Sequence, residues 1–135
     1  MNYQVKAASL FNQDAQIYFK KSSLNFGTTA QTAHTLPNPA KLFLSSFAAC
    51  VLKNVERFSE LMKFSYTKAT IEVTATRLEK PSRMDDIIYT LIIYTQDDTL
   101  NLDLLKKNIV KFGTIYNTVK QSCSILGTIK THKDV

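Results

Sequence analysis

Asn38-Pro-Ala-Lys-Leu-Phe-Leu-Ser-Ser-Phe-Ala-Ala-Cys50 is the stretch whose reading decides the fold. Asn38 is a good helix N-cap, because its short side chain can accept from a free backbone N–H of the first turn. Pro39 suits the first helical position, where its missing N–H costs nothing. Between Leu42 and Leu52 the only polar residues are Ser45 and Ser46. A helix apolar on nearly all sides is buried on nearly all sides, so this one is expected to run through the middle of the molecule. Past Cys50 the pattern turns amphipathic. Val51, Val55, Phe58 and Met62 recur at helical spacing, while Lys53, Asn54, Glu56 and Arg57 face elsewhere. The expected helix spans about Pro39 to Lys63, with its first half buried and its second half lying on a surface.

Upstream, residues 2–10 and 15–20 alternate around the turn-like Asn12-Gln-Asp14 and read as a β-hairpin. Leu24-Asn-Phe26 adds a short third strand, and residues 27–37, rich in Thr, Ala and Gln, read as a loop. Downstream, residues 66–80 switch to period two. Ala69, Ile71, Val73 and Ala75 form one face, and Thr70, Glu72, Thr74 and Thr76 the other. Pro81 to Asp86 is the expected connection. Ile87 to Tyr94 is apolar on both faces, which suits a strand that is central or covered on both sides. A second helix is expected over Leu102 to Phe112, with Leu104, Leu105, Ile109 and Phe112 inward. After Gly113 another turn or two of helix runs from Thr114 to Gln121, and Ser124 to His132 reads as a closing strand. Strands, long helix, strand pair, helix and strand make an α+β fold. With no repeat and no linker, residues 1–135 are expected to form a single domain.

The 135 residues, 44% hydrophobic and 21% charged, have the composition of a globular protein with room for a real core. No segment approaches the roughly 20 apolar residues that span a bilayer. The N-terminus alternates like a strand and lacks the apolar block of a signal peptide, so a cytoplasmic location is expected, with no membrane partner. Two distant cysteines in such a chain read as free thiols. The net charge of +6 invites a nucleic-acid reading. The lysines, however, are scattered, with Lys20-Lys21 and Lys106-Lys107 the longest basic runs, and no nucleic-acid motif accompanies them. A solvated basic surface accounts for the charge.

The residues Asn38-Pro39, Leu42-Phe43 and Ala48-Ala49-Cys50 resemble the Asn-Pro-Glu-x-Leu…Ala-Ala-Cys of the osmotically inducible protein C and organic hydroperoxide resistance family (OsmC/Ohr). Gly113-Thr-Ile-Tyr-Asn117-Thr118-Val119 is similar to that family's Cys-Pro-Val-His-Asn-Thr-Leu, and the order of elements agrees over essentially the whole chain. The resemblance implies an OsmC-like fold in an intertwined homodimer, with sites at the subunit interface. It implies thiol-dependent reduction of organic hydroperoxides in oxidative stress defence, with electrons from a dithiol reductant such as a lipoyl group. One cysteine attacks the peroxide and becomes a sulfenic acid; a second condenses with it to a disulfide. An arginine and a glutamate hold the first as thiolate. Here Cys50 matches the attacking cysteine, but the resolving cysteine falls on Gly113 and the helper glutamate on Ala40. The N-terminal arginine has no counterpart, because the first arginine is Arg57.

Cys50 is therefore the candidate nucleophile, and two readings of it stay open. A free Cys is a common small apolar filler where helices or subunits pack closely. A peroxidatic thiol must instead react as thiolate, and Cys50 lies about three turns inside its helix, far from the dipole end that favours one. Lys20, Lys21, Lys41, Lys53 and His34 are the candidate neighbours in place of arginine, although lysine lacks the guanidinium fork. Cys123 is a candidate relocated resolving cysteine; the other reading is a free thiol at the start of a strand. His34 and His132 have no Cys or carboxylate at metal-ligand spacing, so no metal site and no cofactor is expected. Asp85-Asp86 and Asp97-Asp98 read as turn residues, and Asn117 and Thr118 as backbone caps. Two functions follow. One is a thiol peroxidase in which an external thiol replaces the missing cysteine. The alternative is a non-catalytic relative that binds a small apolar ligand at the dimer interface.

Overall fold

Alternating residues on either side of Asn12-Gln-Asp14 pair as expected, over a shorter length. In the computed structural model, which describes residues 1–133, β1 (Lys6–Ser9), β2 (Ala15–Phe19) and β3 (Ser22–Phe26) form an antiparallel sheet in chain order. Residues 2–5, expected as strand, lie outside it. Lys6 already stands opposite Tyr18, and β2 ends one residue later at Phe19 before turning through Lys20-Lys21. The third strand is longer than expected because that tight turn pairs Ser22 with Phe19. The loop after it contains a 3₁₀ turn, Ala30–Thr32. Asp14 Oδ1 organises this loop, accepting from Thr32 Oγ1 at 2.6 Å and from the N–H groups of Thr28 and Thr29 at 3.0 and 3.3 Å. These bonds hold the Asp14 carboxyl below its ordinary pKa of 3.8. The chain divides into two compact units after Phe43, and these strands belong to the first.

Helix α1 (Pro39–Leu61) begins where the sequence places it, with Asn38 Oδ1 accepting from Lys41 N at 2.8 Å. It stops two residues before Lys63, which takes a left-handed φ of 57°. Phe64 N–H then bonds back to the Ser59 carbonyl at 3.0 Å, closing the helix end. The burial of α1 corrects the expectation. Its fully buried residues are Phe47, Val51, Asn54, Val55, Phe58 and Ser59. They form one stripe, and most lie in the second half; Ser45, Ser46 and Ala49 are exposed. Within the second unit α1 lies on one layer, and its buried stripe is the side turned to that layer.

That layer is a second sheet, in the order β4 (Lys68–Leu78), β5 (Arg83–Tyr94), β6 (Ile125–His132). β4 and β5 are antiparallel, and β5 and β6 parallel. β4 follows its sequence alternation, with Ala69, Ile71, Val73 and Ala75 packed toward the core. β5 starts earlier than expected, at Arg83. Thr74 pairs with Ile88 but Thr76 with Asp85, so Asp86 and Ile87 together stand opposite Ala75. This bulge, with Asp86 at φ 52°, resets the alternation and hides the first turn of the strand from a period-two reading. β5 is central, as expected, and covered on one face. Ile87, Tyr89, Leu91 and Ile93 are buried, while Ile88 on the other face is 48% exposed.

Between β5 and β6 lie α2 (Leu102–Phe112) and α3 (Thr114–Val119). Asn101 caps α2 by accepting from Leu104 N at 3.0 Å. Leu105 and Ile109 point into the core, but Leu104 and Phe112 are 44% and 42% exposed, against expectation. Leu104 sits a helical step to the side of the buried stripe, and Phe112 lies at its edge against Phe58, with ring centroids 5.7 Å apart. In β6, Gly127 stands opposite Tyr89. A Cβ there would lie 2.0 Å from Tyr89 Cζ, so only glycine leaves room for the ring. No described helix is long and apolar enough to cross a membrane.

Candidate active site around Cys50

Cys50 lies on α1 one residue before the buried Val51, at the edge of the packed stripe, and is half-buried. The chain leaves α2 at Gly113, whose N–H still bonds to the Ile109 carbonyl at 3.0 Å, and turns directly into α3. Gly113 has φ −75° and ψ 112°, which any residue can adopt, so its backbone conformation does not require glycine. The surroundings are close. A Cβ on Gly113 would lie 2.9 Å from Ile109 O, 3.0 Å from Tyr116 Cβ and 3.3 Å from Cys50 Sγ. The fold therefore presses the Cys50 sulfur against the position to which the sequence resemblance assigns a second cysteine.

Below the thiol is an aromatic cluster. Phe47 lies one turn back on α1, with its ring centroid 5.7 Å from Tyr89 and 5.4 Å from Tyr116. Tyr89 and Tyr116 meet edge-on at 6.5 Å. Burial pushes the pKa of both hydroxyls above the ordinary tyrosine value of 10, so both are neutral near pH 7. Tyr89 Oη is buried and among the described residues no partner meets hydrogen-bond geometry, although the Tyr116 hydroxyl is close enough to influence it. The cluster is aromatic and carries no charge near pH 7.

The polar contact comes from Asn54, one turn after Cys50. Its Nδ2 donates to the Cys50 carbonyl at 2.9 Å and lies 3.7 Å from Cys50 Sγ. The sequence pattern groups Asn54 with the outward-facing Lys53, Glu56 and Arg57; the structure instead leaves it 7% exposed. The signal that could have found it is its spacing, since i and i+4 side chains on a helix are neighbours.

The other candidates are distributed as follows. Cys123 is a free thiol two residues before β6 and donates to the Met84 carbonyl at 3.3 Å. Lys53 is exposed on α1; Lys20, Lys21, His34, Ala40 and Lys41 belong to the N-terminal unit and are exposed. The Arg57 guanidinium stacks over the Phe58 and Phe112 rings at 5.3 and 5.7 Å. Asn117 Nδ2 donates to Lys111 O, and Thr118 Oγ1 to Thr114 O, so both support backbone. Asp85 accepts from the N–H groups of Asp86 and Ser124, and Asp97 from those of Thr99 and Ser65.

A half-buried thiol between a helix, a close glycine and an amide donor, over a sheet of antiparallel and parallel pairs, defines a class that comparison makes specific. The family profile described as OsmC-like protein matches residues 32–131, and the chain belongs to that family. Solved structures agree in fold. An OsmC-like protein from Mycoplasma pneumoniae is 14% identical with a TM-score of 0.86, over 98% of this chain and 99% of that one. An organic hydroperoxide resistance protein OsmC from Legionella pneumophila is 14% identical with a TM-score of 0.67, over 96% and 97%. The organic hydroperoxide resistance protein OhrB of Bacillus subtilis is 16% identical with a TM-score of 0.60, over 96% and 98%. No curated protein matches the chain in a direct sequence comparison.

Proposed function

We propose that this protein reduces organic hydroperoxides through Cys50 and that an external dithiol completes the cycle. The observation that carries this reading is that a Cβ at position 113 would stand 3.3 Å from Cys50 Sγ. A second thiol there would suit a two-cysteine peroxidase; glycine occupies the position here, so the second thiol would come from outside the chain. Cys50 as thiolate attacks the terminal oxygen of ROOH; an S–O bond forms and the O–O bond breaks. The departing alkoxide takes a proton and leaves as ROH, with Cys50 as sulfenic acid. A thiol of the reductant then displaces water to give a mixed disulfide. Its second thiol releases Cys50 and leaves as the oxidised disulfide.

The same reading places the protein in the cytoplasm as a homodimer. The exposed side of α1, including Ala49, would face the partner, and the site would form beside it. Rates of Cys50 oxidation by cumene hydroperoxide and by hydrogen peroxide, in stopped flow with Cys50→Ser and Cys123→Ser, test the activity. Fast oxidation that needs Cys50, survives Cys123→Ser and prefers the organic peroxide supports it. A rate no better than that of a free thiol would reject it in favour of a protein that holds a small apolar ligand.

A further inference from the structure

We infer that Asn54 is a positioning residue for the Cys50 sulfur, an amide donor directed at it from one helical turn away. This rests on the reading of Cys50 as nucleophile. The Cys50 carbonyl can only accept, so the Asn54 atom 2.9 Å from it must be nitrogen, which settles the orientation of the amide. One N–H is used there. The second hydrogen of the same nitrogen is available to Sγ, 3.7 Å away. Because Asn54 is buried, this donor is shielded from competing water and its direction is held by the backbone bond.

Titratable groups on the elements of the second unit have contacts of their own or are exposed. Tyr89 on β5 and Tyr116 on α3 are neutral, since burial raises both. On α1, Lys53 is exposed, Glu56 accepts from Tyr66 Oη and Arg57 stacks on aromatic rings. At the end of α2 the Lys111 ammonium lies over the Phe112 ring at 5.2 Å. An N–H held toward the sulfur fixes the Cys50 side chain and meets the negative charge that the sulfur carries in attack.

Asn54→Ser separates this role from a structural one. A serine on a helix bonds back to the i−4 carbonyl with its single hydrogen, keeping the backbone contact and leaving nothing for sulfur. In a Cys123→Ser background, iodoacetamide labelling of Cys50 at pH 7 should slow about ten-fold in Asn54→Ser while its thermal melt stays in place, the size expected for loss of a bond to a charged group. Asn54→Asp, which faces the sulfur with a carboxylate, should slow labelling further. If Asn54→Ser melts as its parent does and labels at the parent's rate, the inference is overturned. Cumene hydroperoxide is run in parallel to keep the two readings apart. Slowed labelling with slow peroxide oxidation in every form upholds Asn54 and rejects the peroxidase. Unchanged labelling with fast peroxide oxidation does the reverse.

Discussion

Gly113→Cys should convert this protein into a two-cysteine one. The Cβ of a residue at 113 lies 3.3 Å from Cys50 Sγ, and a disulfide holds that separation at about 3.0 Å, so a shift of a few tenths of an ångström suffices. The backbone at 113 suits any residue, but the new Cβ is tight against Ile109 O and Tyr116 Cβ. Comparing oxidised with reduced forms of the same variant cancels that crowding. The bond closes a loop of roughly 63 residues, for which chain entropy alone predicts about 4 kcal/mol. With some strain in the bond, about 2–4 kcal/mol remains, which for a chain of this size raises Tm by roughly 7–14 °C. The assay is one equivalent of cumene hydroperoxide added to Gly113→Cys/Cys123→Ser, followed by intact mass and thermal melts with and without dithiothreitol. The expected product has lost two hydrogens within one chain. A persistent sulfenic acid, over-oxidation or disulfides between chains only would refute the placement of residue 113 against Cys50.

Gly127→Ala puts a methyl group 2.0 Å from Tyr89 Cζ, with that ring held by Phe47 and Tyr116. It should cost about 3 kcal/mol and lower Tm by roughly 10 °C, with partial recovery when Tyr89→Ala is added. A wild-type melt would show that β5 and β6 are not in this register. Asp14 has a lowered folded-state pKa, so its stabilising contribution is complete above the ordinary carboxylate value and is lost as pH falls through the lower one. The amide shifts of Thr28 and Thr29 followed by NMR should therefore titrate with a midpoint below 3.8, and the transition should vanish in Asp14→Asn; a midpoint at or above 3.8 contradicts the hydrogen bonding described.

What could be read from the sequence was local. Asn38-Pro39 marked the start of α1 because capping depends on adjacent residues, and β4 was visible because its two faces differ along the whole strand. Features that arise between elements were hidden. The bulge at Asp86-Ile87 depends on pairing with Ala75, and it erased the alternation that would have extended β5 to Arg83. Which side of α1 is buried depends on the layer it lies on. At the site, Cys50 was found from its motif and Gly113 through resemblance, but their contact is tertiary. Asn54 was misread because polarity was taken as exposure, although an amide one turn from a carbonyl and a thiol can satisfy itself while buried.

The parallel pairing of β6 with β5 also has a consequence in time. β4 and β5 are joined by a short hairpin and can pair as soon as both exist, but the second edge of β5 waits for the last strand. Roughly 40 residues separate the end of β5 from the end of β6, about 2–8 s of synthesis at ordinary rates. Through that interval a nascent chain carries a strand of Ile, Leu and Tyr with one row of backbone donors and acceptors unpaired. Such an edge is a template for a neighbouring chain. Arg83, Asp85 and Asp86 stand just before that edge, where charges oppose pairing with a second copy.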